Sequence, residues 1–261
     1  MTESGLERAI RQDRLIVALG LTAIIVLSWI YLLRMAAMMN LAAADAEMHA
    51  AMGMTDMRAW GATDFIMLFL MWTVMMIGMM LPSAAPLILL VAGTYRRRGD
   101  RSRVLTLPFV GGYLIAWTAF SAVAAAVQIV LHRLALLSPS MTTSSVTLGG
   151  AILVVVGAYQ WLPLKRACLT RCRSPIDFLT REWREGAAGA LTMGLLHGLY
   201  CVGCCWALMA MLFAAGVMNL LWVAAIALFV FVEKLVPHGA RVGRLAGAAL
   251  IVWGGWVLIR P

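Results

Sequence analysis

The sequence predicts an all-α protein: a polytopic transmembrane helix bundle of about seven helices, with its N-terminus inside and its C-terminus outside. Three observations carry that reading. The 261 residues are 63% hydrophobic and only 13% charged, far from the balance of a soluble domain. The apolar residues gather into runs close to the ~20 residues a helix needs to cross hydrocarbon. The basic residues fall almost entirely between alternate pairs of runs, which is how topology is written into a membrane chain.

In chain order the runs are Leu15–Leu33, Phe65–Val91, Leu105–Leu131, Val146–Leu162, Ala187–Ala215, Val217–Val236 and Leu245–Ile259. No polar stretch is long enough for a separate globular unit, so residues 1–261 read as one integral membrane domain. Met1 to Arg14 is polar and a full-length run follows, unlike a cleaved signal peptide. With the N-terminus inside, 17 Lys and Arg fall on the inner side and four on the outer. The inner loops 95–104 and 163–186 are basic, and the outer loop 34–64 is rich in methionine. This asymmetry points to the cytoplasmic (inner) membrane, crossed many times.

The net charge of +9 does not indicate nucleic acid, because the basic residues sit in short loops rather than along one face. Five cysteines do not make a secreted disulfide framework, since three lie inside an apolar run. No phosphate-binding loop, GxSxG turn, HExxH pair or paired catalytic carboxylates occur. The chain therefore shows no ATP coupling of its own; the sequence leans away from an enzyme without deciding it, and offers no catalytic residues to name.

Within the second run, Pro82 and Pro86 each remove a helical hydrogen bond, which predicts a kink or an unwound turn. Gly111-Gly112, Gly149-Gly150, Gly243/Gly247 and Gly254-Gly255 predict close helix packing. Residues 177–186 (DFLTREWREG) predict a short amphipathic helix on the inner surface.

Chemistry concentrates in the fifth run, at His197-Gly-Leu-Tyr-Cys201-Val-Gly-Cys204-Cys205. At about 100° per residue, His197, Cys201 and Cys204 share an arc of roughly 60°, with Cys205 at its edge. Ionisable groups at membrane depth are expensive and mark function. Imidazole with thiolate suits soft or borderline metals. Small packing cysteines beside Gly198 and Gly203 are the bland alternative, and the CxxC spacing also allows thiol–disulfide chemistry.

A second sulfur source precedes it. Met71, Met75, Met76, Met79 and Met80 recur one turn apart on the second run. A thioether binds Cu(I) without burying a charge, although methionine is also an ordinary apolar filler. The outer loop adds Met35, Met38, Met39, Met48, His49, Met52, Met54 and Met57 beside Asp45, Glu47 and Asp56, which reads equally as a set that captures an ion outside or as an interfacial helix whose methionines rest on lipid or on the bundle. Cys168 and Cys172 stand at i, i+4 in the basic inner loop, where they are candidates to receive or release metal. Glu233-Lys234, at the inner end of the sixth run, reads first as half of an interhelical ion pair.

Three stretches, MWTVMMIGMMLPSAAP, YQWLPLKRACLTRCRSP and HGLYCVGCCWALMAMLFAAGVMNLLWVAAIALFVFVEK, closely resemble an uncharacterised family of prokaryotic polytopic membrane proteins described as predicted metal-binding integral membrane proteins. The similarity runs from about Asp64 to Lys234. It implies a metal-binding membrane protein, with motif residues at Trp72, Met75, Met76, Met79, Met80 and Pro82. Further matches fall on Tyr159, Gln160, Pro163, Lys165, Cys168 and Cys172, then on Gly203, Cys204, Cys205, Trp206, Asn219, Glu233 and Lys234.

Taken together, the residues predict a soft-metal site between the second and fifth spans. Cu(I) is the first choice, with zinc or another transition metal behind it. The site would serve copper transport or delivery to a partner metalloprotein. Its ligands would come from His197, Cys201, Cys204, Cys205, Met71, Met75, Met76, Met79 and Met80, with Cys168, Cys172 and His49 as secondary candidates. Two alternatives stay open: a membrane thiol–disulfide oxidoreductase using Cys201 and Cys204, and a non-catalytic membrane subunit of an enzyme complex. The partners expected are the lipid bilayer, a metal ion and a protein, not nucleic acid.

Overall fold

In a computed structural model, residues 3–51, 61–98, 102–134 and 145–259 are described, and among them there is no strand. They form nine helices: α1 (Glu3–Ala51), α2 (Ala62–Arg97), α3 (Ser102–Arg133), α4 (Val146–Tyr159), α5 (Pro163–Arg173), α6 (Pro175–Glu182), α7 (Gly186–Ala215), α8 (Leu220–Leu235) and α9 (Gly239–Ile259). Each of the seven apolar runs has its helix. Among the described residues five segments are long and apolar enough to cross a membrane: Gln12–Met39, Ala62–Arg97, Val104–Arg133, Gly186–Ala215 and Gly239–Ile259. A sixth arises if α4 and α5, bent by 63° at their junction, are one broken span. The 16 residues of α8 are shorter than any of these.

The sequence punctuates the helices as their residue types dictate. Ser145 caps α4 by accepting from the Leu148 N–H at 3.3 Å, and Asn219 caps α8 by accepting from Leu221 at 3.2 Å. Pro163 and Pro175 open α5 and α6, where a missing N–H costs nothing. Glycine at φ +97° (Gly216) ends α7, a backbone region hostile to other residues.

Several boundaries differ from expectation. α1 carries on through Ala51, so much of the stretch between Arg34 and Asp64 is helical. The basic segment 163–186 holds α5 and α6, and the amphipathic helix begins at Pro175 rather than Asp177. α2 is one continuous helix across Pro82 and Pro86, with no unwound turn. Side-chain hydroxyls add bonds in that turn: Ser83 donates to the Met80 carbonyl at 2.8 Å, and Tyr113 reaches the same carbonyl at 3.2 Å.

α3 packs on both α2 and α7, α4 packs on α9, and α1 packs on α2. The α3–α7 seam depends on glycine. A Cβ on Gly112 would strike the backbone of Leu191 and Leu195, and one on Gly194 would strike the Phe109 carbonyl. At the α4–α9 seam, Gly157 faces the Gly247 carbonyl and Gly254 faces Gly150. Gly111 and Gly255 take no part in such close approach.

The molecule exposes large apolar side chains and encloses a few polar ones within an otherwise apolar core. Leu19, Leu27, Val123, Leu228, Leu245 and Val252 are exposed, while Gln128, Gln160, Lys165, His197, Glu233 and Lys234 are buried. Buried charge must be paired or hydrogen-bonded, and these groups are where the polar chemistry lies.

Candidate metal centre

α7 turns His197, Cys201, Cys204 and Cys205 inward, and none is more than 3% exposed. The Cys204 Sγ lies 3.1 Å from the Cys205 Sγ, and its thiol points at the Cys201 carbonyl at 3.2 Å. The bend after α4 carries α5 back against α7, which brings the half-buried Cys172 into the neighbourhood of Cys201 and Cys204. One turn earlier on the same face, Cys168 rests on Gly203; a Cβ there would come within 2.8 Å of its sulfur. All five cysteines are free thiols. Tyr159 fixes this part of α7 by donating its hydroxyl proton to the Gly203 carbonyl.

Two polar side chains converge on Cys201. The Lys234 ammonium of α8 donates to its sulfur at 2.8 Å and to the Ser83 hydroxyl at 3.1 Å. The Tyr113 hydroxyl of α3 lies 3.2 Å from the same sulfur and 3.2 Å from the Met80 carbonyl. Cys201 is thus tied to α2 through both neighbours.

Glu233 faces the other way. Its carboxylate accepts from Lys165 of α5 at 2.6 and 2.9 Å, and both side chains are at most 2% exposed. Lys165 also donates to the Gln160 side-chain amide oxygen, Oε1. Gly239 and Gly243 of α9 leave the room that Glu233 occupies. At the far end of α5, Arg173 donates to the carbonyls of Lys234 at 3.3 Å, Pro237 at 2.9 Å and Val236. Both ends of the cysteine-bearing helix are therefore pinned to α8.

His197 stands apart from this polar network. Its ring is enclosed by Phe109, Tyr113 and Phe178, with centroids at 6.4, 5.7 and 5.3 Å, and its Nδ1 is buried without a hydrogen-bond partner. Met71, Met75, Met76, Met79 and Met80 are all buried on α2. α2 and α7 have no extensive backbone contact, since each packs on α3. They meet through side chains, Trp72 against Phe213 at 5.3 Å among them. The Cys201 thiol accordingly lies where α7 meets α8, and it is linked to the second span through Lys234–Ser83 and Tyr113–Met80. The side chains of Met48 and His49, and all of Met52, Met54 and Met57, lie outside the described residues.

The donor types suit a soft cation, and their present geometry is that of packed thiols. Among the described residues no three His, Cys, Asp or Glu side chains stand ready to hold a metal ion. The sulfurs of Cys204 and Cys205, 3.1 Å apart, are closer than the roughly 3.8 Å that two thiolates adopt on one tetrahedral ion with bonds of about 2.3 Å. Ligation requires these side chains to rotate apart. What fits is the chemistry: a dry cluster of thiols with a cation touching one of them.

The sequence pattern places Cys172 in a loop and does not draw Tyr113 or Lys234 to the sulfur. The i, i+4 spacing of Cys168 and Cys172 is the available signal, because it sets both on one helical face. Adjacent residues on a helix point about 100° apart, so Glu233 and Lys234 have to find different neighbours.

The family model described as PpoB2: Copper chaperone matches residues 69–257. That span holds the buried methionines of α2, all five cysteines, His197 and Lys234. Neither the curated proteins nor the solved structures gave a match.

Proposed function

As the chain belongs to the PpoB2 copper chaperone family, we propose that it is an integral protein of the cytoplasmic membrane that holds Cu(I) on buried sulfur. From there it hands the ion to a partner metalloprotein or moves it across the bilayer. The observation that carries this is the set of buried thiols Cys201, Cys204 and Cys205 on α7, with a buried ammonium 2.8 Å from the first of them. Soft sulfur donors select copper(I) over hard cations, and thiols that are not locked into a closed cage suit an ion that must leave again.

The apolar exterior and five long apolar helices support membrane insertion. On this reading α4–α5 and the short α8 complete seven crossings, with the N-terminus inside, as the basic residues direct. Met71, Met75, Met76, Met79 and Met80 form a neutral approach, Cys201, Cys204, Cys205 and Cys172 form the holding site, and His197 is a ligand reached by rotation. Cys168 lies one turn beyond Cys172, and His49 with the outer methionines collects the ion.

Metal analysis of the full-length protein in mild detergent tests the proposal. Wild type should carry copper, and Cys201→Ser/Cys204→Ser should carry far less. Equal stoichiometry in the two would remove the site.

A thiol–disulfide role has one observation in its favour, the Lys234 ammonium on Cys201, which favours a nucleophilic thiolate. It predicts that Cys204→Ser traps a mixed disulfide on Cys201, and a protein with no such adduct would exclude it.

A further inference from the structure

Lys234 is buried, at 6% exposure, and the carboxylate beside it in sequence is not its partner. Glu233 is already neutralised by Lys165 at 2.6 Å. Among the described residues Lys234 forms no ion pair with a carboxylate; its contacts are the Ser83 hydroxyl and the Cys201 sulfur. The acidic groups facing it are the thiols of Cys172, Cys201, Cys204 and Cys205 together with the Tyr113 hydroxyl. The sulfur cluster therefore has a positive charge built into its wall, and among the described residues that charge touches a cysteine sulfur and no carboxylate.

We infer that Lys234 is a specificity-determining residue of this site, selecting monovalent soft cations over divalent ones. The inference rests on the copper-holding role proposed above. For any fixed number of thiolates, the complex with a monovalent ion is one unit more negative than the complex with a divalent ion. A neighbouring ammonium stabilises the more negative complex by one additional charge–charge interaction. At the separation of a group touching a ligand sulfur, in a medium with an effective dielectric constant near 20, that difference is on the order of a hundredfold in binding preference. The ammonium adds this increment to the preference that soft sulfur already has for a monovalent soft ion.

The experiment measures Cu(I), Ag(I) and Zn(II) affinities of the full-length protein in detergent, anaerobically, by competition with chromophoric chelators. Wild type is compared with Lys234→Gln, Lys234→Met and Lys234→Arg. Gln keeps a hydrogen-bond donor without the charge, and Arg keeps the charge. The Cu(I)-over-Zn(II) preference should fall on the order of a hundredfold in Lys234→Gln and Lys234→Met, with Ag(I) following Cu(I), and should survive in Lys234→Arg. A purely structural residue would weaken all three ions together and leave the ratio alone. An unchanged ratio in Lys234→Gln, or loss of the ratio in Lys234→Arg, overturns the inference while leaving copper holding intact. Wild-type protein that takes up no copper overturns the proposed function, and this inference with it.

Discussion

Two sets of buried sulfur share α3 as a neighbour and are held in opposite ways. On α2, five methionines present neutral thioethers, packed among apolar side chains around Trp72. Where α5, α7 and α8 join, four thiols sit beside an ammonium, a phenol and a buried Lys165–Glu233 pair. A thioether needs no counter-charge in a dry interior, whereas a thiol that is to bind metal must lose its proton and leave a charge behind. The difference teaches where each can work. Neutral sulfur can line a route without trapping the ion, and ionisable sulfur can hold it only where the fold supplies compensation.

The largest effect should come from breaking that compensation. Glu233→Leu leaves Lys165 charged and buried without its partner, a change that costs about 3–5 kcal/mol when one member of a buried pair is removed. Thermal unfolding in detergent should drop sharply, and copper content with it, because α5 loses one of its two attachments to α8. Adding Lys165→Met should recover most of the stability. If Glu233→Leu melts like wild type, the polar junction is not what holds α5 in place.

Next is the scaffold common to both sulfur sets. Gly194→Ala sets a Cβ against the Phe109 carbonyl, and neither backbone can yield without parting α3 from α7. Overpacking of this kind costs about 1–3 kcal/mol. The melting temperature should fall, whereas Gly255→Ala, whose added Cβ meets nothing within 4 Å, should leave it unchanged.

Cys172→Ser separates the helices in a subtler way. It keeps α5 folded and removes the one thiol that the neighbouring helix brings to the cluster. Cu(I) affinity should fall by about tenfold, or about 1.4 kcal/mol, read by chelator competition. Cys168→Ser, which alters a side chain resting on Gly203, should change it by less.

How much of this is legible in the sequence differs along the same line. Run length and apolarity disclose all the long helices, because membrane-length periodicity is a local property. The extension of α1 to Ala51 escapes that reading since the residues after Arg34 lose apolarity, yet Leu41-Ala-Ala-Ala-Asp-Ala-Glu keeps high helix propensity. The cysteines of α7 announce themselves by spacing on one helix. Cys172 does not, because its place depends on the 63° bend between α4 and α5, and no local pattern specifies which way a chain returns. Lys234 is visible as a charge but not as the cation of a sulfur site, since which helix its face meets depends on how α8 packs on α7 and α2.

The smallest effect expected is also the sharpest test of the contrast. Met75→Leu/Met79→Leu changes two fully buried thioethers to hydrocarbon of similar volume, so stability should shift by less than about 1.5 kcal/mol. If α2 is a route, copper bound at equilibrium should be unchanged, because the thiols that hold it are untouched, but loading of metal-free protein should slow several-fold in stopped-flow mixing with a Cu(I) donor. If α2 is only packing, neither quantity moves. A fall in equilibrium copper would mean that the methionines hold the ion together with the thiols, and the division drawn between the two sulfur sets would collapse into one site spanning α2 and α7.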